Sequence, residues 1–228
     1  KKKKKEMEKN KLNEWWNTSG NYKILHKINP LRLKFILNNF NKSIRRKNIL
    51  DIGCGGGLIS ELLGKKGAQV TGIDENIYNL KQAKDHAKKN FIRINYRNES
   101  LESFFKKNKK KFDLILCLEV LEHVENVEES LDKIIKLMKP GGTLILSTIN
   151  RNLKSLVFAK IFGEYILNWI PIGTHQYEKF LQPAEIIEIL KLKKIKIKKI
   201  KGMEYNPLLN TWSLSNNTNI NYFLVGRK

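Results

Sequence analysis

The hydrophobic pattern changes partway along the chain, and this change predicts the fold. From Asn48 onward, short apolar runs alternate with longer stretches in which apolar residues recur every three or four positions. Apolar runs without polar alternation are typical of strands that are buried on both faces, as in parallel sheets. The pattern therefore predicts a doubly wound α/β fold with a mostly parallel sheet. Its first five strands are predicted at residues 48–52, 68–73, 91–96, 112–118 and 143–149.

The stretches between these runs predict crossover helices, because their apolar residues have helical spacing. These helices are predicted at residues 58–66, 77–89 and 127–138. We expect Lys139-Pro140-Gly141-Gly142 to end the third helix and to turn the chain into the fifth strand. A further helix is predicted near residues 183–190. Two antiparallel edge strands are predicted near residues 194–201 and 220–226, which makes seven strands in the sheet.

The segments around this core predict the domain organisation. Asn29-Pro30 followed by an apolar stretch predicts a helix with Asn29 as its N-cap and proline in its first turn. We expect an N-terminal helical extension over residues 1–46 and one α/β domain over 47–228, a length that suits a single core. An apolar amphipathic helix at 153–172 predicts a helical insertion over 151–180, after the fifth strand.

The composition limits the partners and the compartment that the protein can have. The net charge of +22, from 44 Lys and Arg against 22 Asp and Glu, suits an anionic partner such as nucleic acid or phospholipid. Lysines occur along the whole chain, however, which favours a compositional bias spread over solvated faces. No apolar stretch reaches the roughly 20 residues of a membrane span. The five initial lysines carry no signal-peptide core, so targeting stays undecided. Cys54 and Cys117 are expected to be free thiols in a reducing compartment.

A glycine loop after the first strand carries the candidate chemistry. Gly53, Gly55 and Gly57 open the following helix at the carboxyl edge of the sheet, where open α/β folds bind ligands. Their spacing is one residue shorter than the dinucleotide fingerprint. Asp51 before the loop would repel a pyrophosphate but suits a cofactor with an amino group. Asp74 follows the second strand, where a carboxylate can bind both ribose hydroxyls.

This arrangement resembles the class I methyltransferases over residues 49–149. A narrower resemblance, to the ubiquinone-biosynthesis O-methyltransferases, runs from Trp15-Trp16 nearly to the end of the chain. It implies an S-adenosyl-L-methionine-dependent O-methyltransferase that acts on aromatic hydroxyls of polyprenylated ubiquinone precursors, namely polyprenyl-6-hydroxyphenol and 3-demethylubiquinol. The other matching segments are residues 25–33, 117–124, 147–152, 173–175 and 205–207.

The resemblance also implies a cofactor site. Arg32 is expected to meet the methionine carboxylate, Gly53 and Gly55 to offer their backbone, Asp74 to bind the ribose, and Leu118 to contact the cofactor at the end of the fourth strand. Two alternatives stay open at this stage. Arg32 is otherwise an ordinary helix-surface residue, and Leu118 is otherwise ordinary core.

A metal site is expected at Glu119, Glu122 and His123. Their spacing puts them on one face if the chain turns helical after the fourth strand, and the family resemblance implies magnesium or a similar ion. The same motif also occurs in class I methyltransferases that need no metal, where it lines the cofactor pocket. The ion would lower the pKa of the phenol. Alternatively, His123 or His175 would remove the phenolic proton as a general base. The catalytic group is therefore left unassigned.

The implied substrate sets the expected partners. The helix at 153–172 is either a lid over the pocket or a peripheral contact with an anionic membrane surface. That membrane would be the bacterial inner membrane, on its cytoplasmic face, or the mitochondrial inner membrane, on its matrix side. Other enzymes of quinone biosynthesis are candidate partners.

Two rival functions are disfavoured by the residues of the motifs. A nucleic-acid methyltransferase would have an Asn/Asp-Pro-Pro-aromatic motif after the fourth strand, and Glu119-Val120-Leu121-Glu122 stands there instead. A noncatalytic lipid- or protein-binding module on the same fold is disfavoured because Gly53, Gly55 and Asp74 are intact.

Overall fold

The computed structural model describes residues 14–40, 42–152 and 180–228, and the elements within them form one eight-stranded sheet flanked by helices. The strands are β1 Asn48–Ile52, β2 Gln69–Asp74, β3 Asn95–Asn98, β4 Phe112–Leu118, β5 Met138–Ile149, β6 Lys196–Asn206, β7 Thr211–Ser215 and β8 Asn221–Arg227. The helices are α1 Lys23–Phe40, α2 Leu58–Lys65, α3 Ile77–Lys89, α4 Leu101–Lys107, α5 Val127–Leu137 and α6 Pro183–Leu192, with 3-10 turns at Glu14–Trp16 and Leu121–His123.

The sheet has the order β3-β2-β1-β4-β5-β8-β6-β7. Strands β1 to β5 run parallel, whereas β8 pairs antiparallel with both β5 and β6. The doubly wound, mostly parallel α/β fold is thus confirmed. The order reverses direction at β1 and β4, so the carboxyl ends of these two strands flank the switch point where such folds bind ligands.

Alternate residues of each strand face opposite sides, and this divides the core in two. Leu50 and Ile115 pack with α4, α5 and α6 on one face, while Ile49 and Leu114 pack with α1 and α2 on the other. Phe35 of α1 is 1% exposed, so α1 is an integral cover of the sheet. In the part of the chain that the structure describes, no helix is long and apolar enough to cross a membrane.

Several predicted bounds were wrong. Helix α1 begins at Lys23, not Asn29, and passes through Pro30, because Ile24 and Ile28 continue its buried face by one more turn. Strand β5 already begins at Met138 and includes the Lys-Pro-Gly-Gly segment, since Met138 pairs with Phe112 across an irregularity in the ladder. Helix α4 and strand β7 were not predicted, and β7 makes the sheet eight-stranded instead of seven-stranded.

The predicted apolar helix at 153–172, most of the insertion at 151–180, and the matching segment 173–175 with His175 lie outside the described residues. Cys54 and Cys117 are both free and buried.

Candidate active site

The glycine loop joins β1 to α2 at the carboxyl edge of the sheet, and its backbone requires glycine. Gly53 and Gly55 have φ angles of 65° and 52°, in the left-handed region that favours glycine. A Cβ on Gly53 would also overlap the Val120 side chain. Because Gly53 and Gly55 carry no side chains, Val120 and Trp15 can lie directly against the backbone of the loop.

A cavity of about 150 Å³ opens beside this loop and brings together several of the predicted residues. Arg32, Gly53 and Leu118 line it together, although they come from α1, the loop after β1 and the end of β4. Their role in cofactor binding stays a prediction. The full lining is Trp15, Leu25, Asn29, Arg32, Asp51, Gly53, Cys54, Leu58, Ile59, Leu118 and Glu119.

Asp74 ends β2 and is tied to the glycine loop. Its carboxylate accepts hydrogen bonds from the backbone N–H of Gly55 and of Asn76, both at 2.8 Å. A carboxylate has about four lone-pair sites, so two such bonds leave acceptors for ribose hydroxyls. The structure therefore places the two predicted residues Gly55 and Asp74 in direct contact at one side of the crevice.

Arg32 lies in the cavity beside the glycine loop and is buried. It is 6% exposed, and its Nη2 donates to Oε1 of Glu119 at 3.2 Å. Burial lowers the pKa of the guanidinium, and the nearby Glu119 carboxylate opposes this shift. Its Nε is buried without a hydrogen-bond partner, so Arg32 retains a donor for an incoming carboxylate. The alternative of a helix-surface arginine is excluded by this burial.

Asp51 is buried on β1 directly below the glycine loop. Burial raises its pKa to about 6, and the hydrogen bond that Ser60 Oγ donates to it at 2.6 Å opposes the shift. Arg32 acts in the same direction as Ser60. A cationic group that entered the cavity would stabilise the charged carboxylate further.

Glu119 and Glu122 form a carboxyl pair next to Arg32. Ser147 Oγ donates to Glu119 and Thr148 Oγ1 donates to Glu122, each at 2.8 Å. Burial, followed by the neighbouring Glu119 carboxylate, raises the pKa of Glu122 well above its ordinary value. Glu119 has a φ of 56°, and such strain in a residue other than glycine is common at functional sites.

His123 does not join this pair. The predicted shared helical face is wrong, because Glu119 lies before a single 3-10 turn in which Glu122 is buried and His123 is exposed. Within residues 14–40, 42–152 and 180–228, no group of three or more His, Cys, Asp or Glu side chains could hold a metal ion. The three-ligand metal centre is therefore not formed in this structure.

Sequence reasoning gave no role to the aromatic residues that cover the loop. The Trp15 indole lies against Gly55 and Gly56, donates from Nε1 to Asn79 Oδ1 at 2.9 Å, and stacks on Tyr22 with ring centroids 4.0 Å apart. The Trp15-Trp16 pair was the available signal. Asn29 was also missed, since its interpretation as an N-cap concealed its position inside α1.

A larger groove of about 670 Å³ lies away from these residues, at the starts of β2 and β3. Its charged lining consists of Lys84, Lys88, Arg93 and Lys110 and includes no Asp, Glu or His. It lies at the edge of the sheet opposite to the glycine loop and contains none of the predicted site residues, so the smaller cavity is the candidate active site.

The chain is similar to known methyltransferases over most of its length. A methyltransferase domain family matches residues 23–223. Ubiquinone biosynthesis O-methyltransferase from Pelagibacter ubique is 44% identical over 218 residues, which cover 92% of this chain and 90% of that protein. The enzyme of the same name from Rickettsia felis is 44% identical over 231 residues, covering 99% of this chain and 94% of that protein.

Solved structures with lower identity share the fold. Magnesium protoporphyrin IX methyltransferase from Synechocystis, with bound SAH, aligns with a TM-score of 0.64 at 21% identity and covers 91% of this chain and 85% of that one. The N-methyltransferase NodS from Bradyrhizobium japonicum, in complex with S-adenosyl-L-homocysteine, gives 0.61 at 19% identity over 87% and 86% of the two chains. The methyltransferase domain match and the two relatives at 44% identity show that the chain belongs to the ubiquinone biosynthesis O-methyltransferase family.

Proposed function

We propose that this protein transfers a methyl group from S-adenosyl-L-methionine to an aromatic hydroxyl of polyprenylated ubiquinone precursors, namely polyprenyl-6-hydroxyphenol and 3-demethylubiquinol. The observation that carries the proposal is that two complementary groups lie near Asp51 at the glycine loop, the Asp74 carboxylate bonded to Gly55 and the buried Arg32 guanidinium in the adjoining cavity. The names of the relatives, which are 44% identical to this chain, support the reaction and the substrate class.

The residues present fit this cofactor. Arg32 has a buried Nε without a partner, which suits the methionine carboxylate, and Asp51 suits the positive charge of the amino group. Asp74 suits the ribose, and Gly53 lines the cavity in which the tail would lie. When bound, the cofactor supplies an electrophilic methyl group on a sulfonium.

The protein must also position the acceptor and deal with its proton. A free phenol has a pKa near 10 and is mostly protonated at neutral pH. The protein must therefore lower this pKa or supply a base that removes the proton. Leu118 and Trp15 contribute apolar surface to the lining of the cavity. Glu119 lines the same cavity, where its carboxylate oxygen can accept the phenolic proton.

A divalent ion such as magnesium is the second part of the proposal. The residues that would hold it are Glu119 and Glu122, with substrate oxygens as further ligands, and a bound ion would lower the pKa of the phenol. Its support is that Glu122 Oε1 is buried without a hydrogen-bond partner, next to the Glu119 carboxyl. His123 is not part of this reduced set.

The test is a methylation assay with purified protein that offers a polyprenyl catechol, 3-demethylubiquinol and RNA in parallel. We expect methylated quinol precursors by mass spectrometry, no methylated RNA, and loss of turnover with EDTA that magnesium restores. Methylation of RNA alone would contradict the proposed substrate. Undiminished turnover in EDTA would remove the metal and leave the carboxylate as the proton acceptor.

We further propose peripheral binding to an anionic membrane, at the cytoplasmic face of a bacterial inner membrane or the matrix side of the mitochondrial inner membrane. The net charge of +22 and the lipid tail of the proposed substrate support it. Cosedimentation with vesicles should be stronger with phosphatidylglycerol than with phosphatidylcholine alone and should weaken with salt. Equal binding to both would contradict it.

A further inference from the structure

Asn29 occupies an unusual position inside α1. It lies three residues before Arg32, so the two side chains share one face of the helix, and both line the 150 Å³ cavity. Asn29 is 4% exposed, and its Oδ1 is buried without a hydrogen-bond partner. A buried acceptor without a partner is costly to a folded protein, and a donor that enters the cavity would satisfy it.

The groups around Asn29 indicate what kind of donor fits. Arg32 supplies one positive charge to this end of the cavity, and Asp51 and Glu119 supply negative charge. A cavity with both signs of charge suits an end group that also carries both, such as an α-amino acid. Arg32 suits its carboxylate, while its ammonium group has three N–H donors that each need an acceptor.

The acceptors that could bind this ammonium differ in the number of hydrogen bonds that they already accept. Oε1 of Glu119 accepts from both Arg32 and Ser147, and Oδ2 of Asp51 accepts from Ser60. Asn29 Oδ1 has no hydrogen-bond donor among residues 14–40, 42–152 and 180–228. It is also neutral, so its free acceptor adds no charge to the buried carboxylates around it.

We infer that Asn29 is a cofactor-binding residue, whose Oδ1 accepts a hydrogen bond from the α-ammonium of the methionine end of S-adenosyl-L-methionine. Asn29 and Arg32 then bind the two charged groups of that end from adjacent turns of α1. This inference rests on the proposed function, and it assigns the amino-acid end of the cofactor to α1.

Calorimetry with two ligands tests the inference. S-adenosyl-L-homocysteine (SAH) carries the ammonium, and its des-amino analogue, S-adenosyl-4-thiobutyrate, retains the carboxylate only. We expect Asn29→Leu to weaken SAH binding about tenfold, equivalent to 1.4 kcal/mol, because the acceptor is lost. Binding of the des-amino analogue should be unchanged. A failure of the unmodified chain to bind SAH would refute the proposed function, whereas equal SAH binding by the unmodified chain and the variant would overturn this inference alone.

A second measurement separates ligand binding from a structural role. Thermal unfolding without ligand should give Asn29→Leu a melting temperature equal to or above that of the unmodified chain, because a buried acceptor without a partner is removed. The shift on adding SAH should be smaller than for the unmodified chain. A large fall without ligand, together with equal weakening of both ligands, would show that Asn29 serves the fold and would overturn the inference.

Two further variants complete the design. Asn39→Leu is the matched control on the same helix, since Asn39 Nδ2 donates to the backbone oxygen of Phe35, one turn earlier, at 2.7 Å, and Asn39 does not line the cavity. It should leave both affinities unchanged. Asn29→Asp keeps an acceptor oxygen at the site and should retain SAH binding. A loss as large as that of Asn29→Leu would contradict the role of the oxygen.

Discussion

The two ends of the crevice are built in different ways. At the tail end, which is proposed to bind the methionine part of the cofactor, the side chains of Arg32 and Glu119 bond to each other. Arg32 is only 6% exposed there. At the nucleoside end, which is proposed to bind the ribose, the Asp74 carboxylate accepts hydrogen bonds from backbone N–H groups. The neighbouring residues Glu75 and Asn76 are exposed to solvent.

This difference sets the size of the effects that mutations should have. Charges interact more strongly in buried surroundings than at the surface, where water screens them. At the tail end, each charged group therefore depends on the others and on the ligand. At the end proposed to bind the nucleoside, Asp74 bonds to the backbone of Gly55 and Asn76 beside exposed residues, so water screens its charge more than that of Arg32. Ligands with and without a tail can separate the two ends.

The largest effect is expected from Arg32→Met, which removes the buried cation but keeps the apolar stem. SAH affinity should fall about 10³-fold, roughly 4 kcal/mol, because a buried carboxylate would lose its charged partner. Binding of 5′-methylthioadenosine, which lacks the amino-acid tail, should hardly change. Calorimetry with both ligands measures the contrast.

The control for this variant is Lys139→Met, which breaks a more exposed ion pair with Asp113, at 2.8 Å, outside the cavity lining. It should leave both affinities as they are. If Arg32→Met weakened both ligands equally, the difference between the two ends would be refuted.

Asp51 gives a pH-dependent effect at the tail end. Its folded-state pKa of about 6 lies above the ordinary value of 3.8, so the folded chain holds a proton that the unfolded chain releases. The free energy of unfolding should therefore fall as the pH rises between these two values. This group contributes up to roughly 3 kcal/mol of that fall.

Urea unfolding of the ligand-free protein at pH 5 and pH 7 tests this, with Asp51→Asn as the comparison. The asparagine can still accept the hydrogen bond from Ser60 but does not titrate. The variant should lose less stability than the unmodified chain between the two pH values. An identical loss in both proteins would show that Asp51 is not the group responsible.

The sequence predicted the secondary structure best where the signal lies in adjacent residues of the chain. Strands β1 and β4 were predicted with their observed bounds, since burial on both faces leaves an uninterrupted apolar run. The third strand was predicted too early because Phe91, though apolar, is 95% exposed in a left-handed turn after α3. Strand β7 was missed because its mixed residues become a strand only by pairing with β6.

The same division holds for the site. The glycine loop and Asp74 were found from spacing, since both depend on neighbouring positions at the ends of adjacent strands. The contact between Arg32 and Glu119 joins residues 87 positions apart and depends on how α1 crosses the sheet, which no local pattern contains. The error at His123 arose because the left-handed backbone at Glu119 breaks the helical geometry that the spacing assumed.

The smallest effect is expected from Asp74→Asn at the nucleoside end. The amide oxygen can still accept the Gly55 N–H, while the bond from the Asn76 N–H and the charged acceptor for the ribose are lost. SAH and 5′-methylthioadenosine should both weaken about tenfold, since both carry the ribose. Glu75→Gln removes the same charge from the next, exposed position and should change neither affinity. If it weakened binding as much as Asp74→Asn, long-range charge would explain the effect. Weakening of SAH alone would place Asp74 at the wrong end of the cofactor.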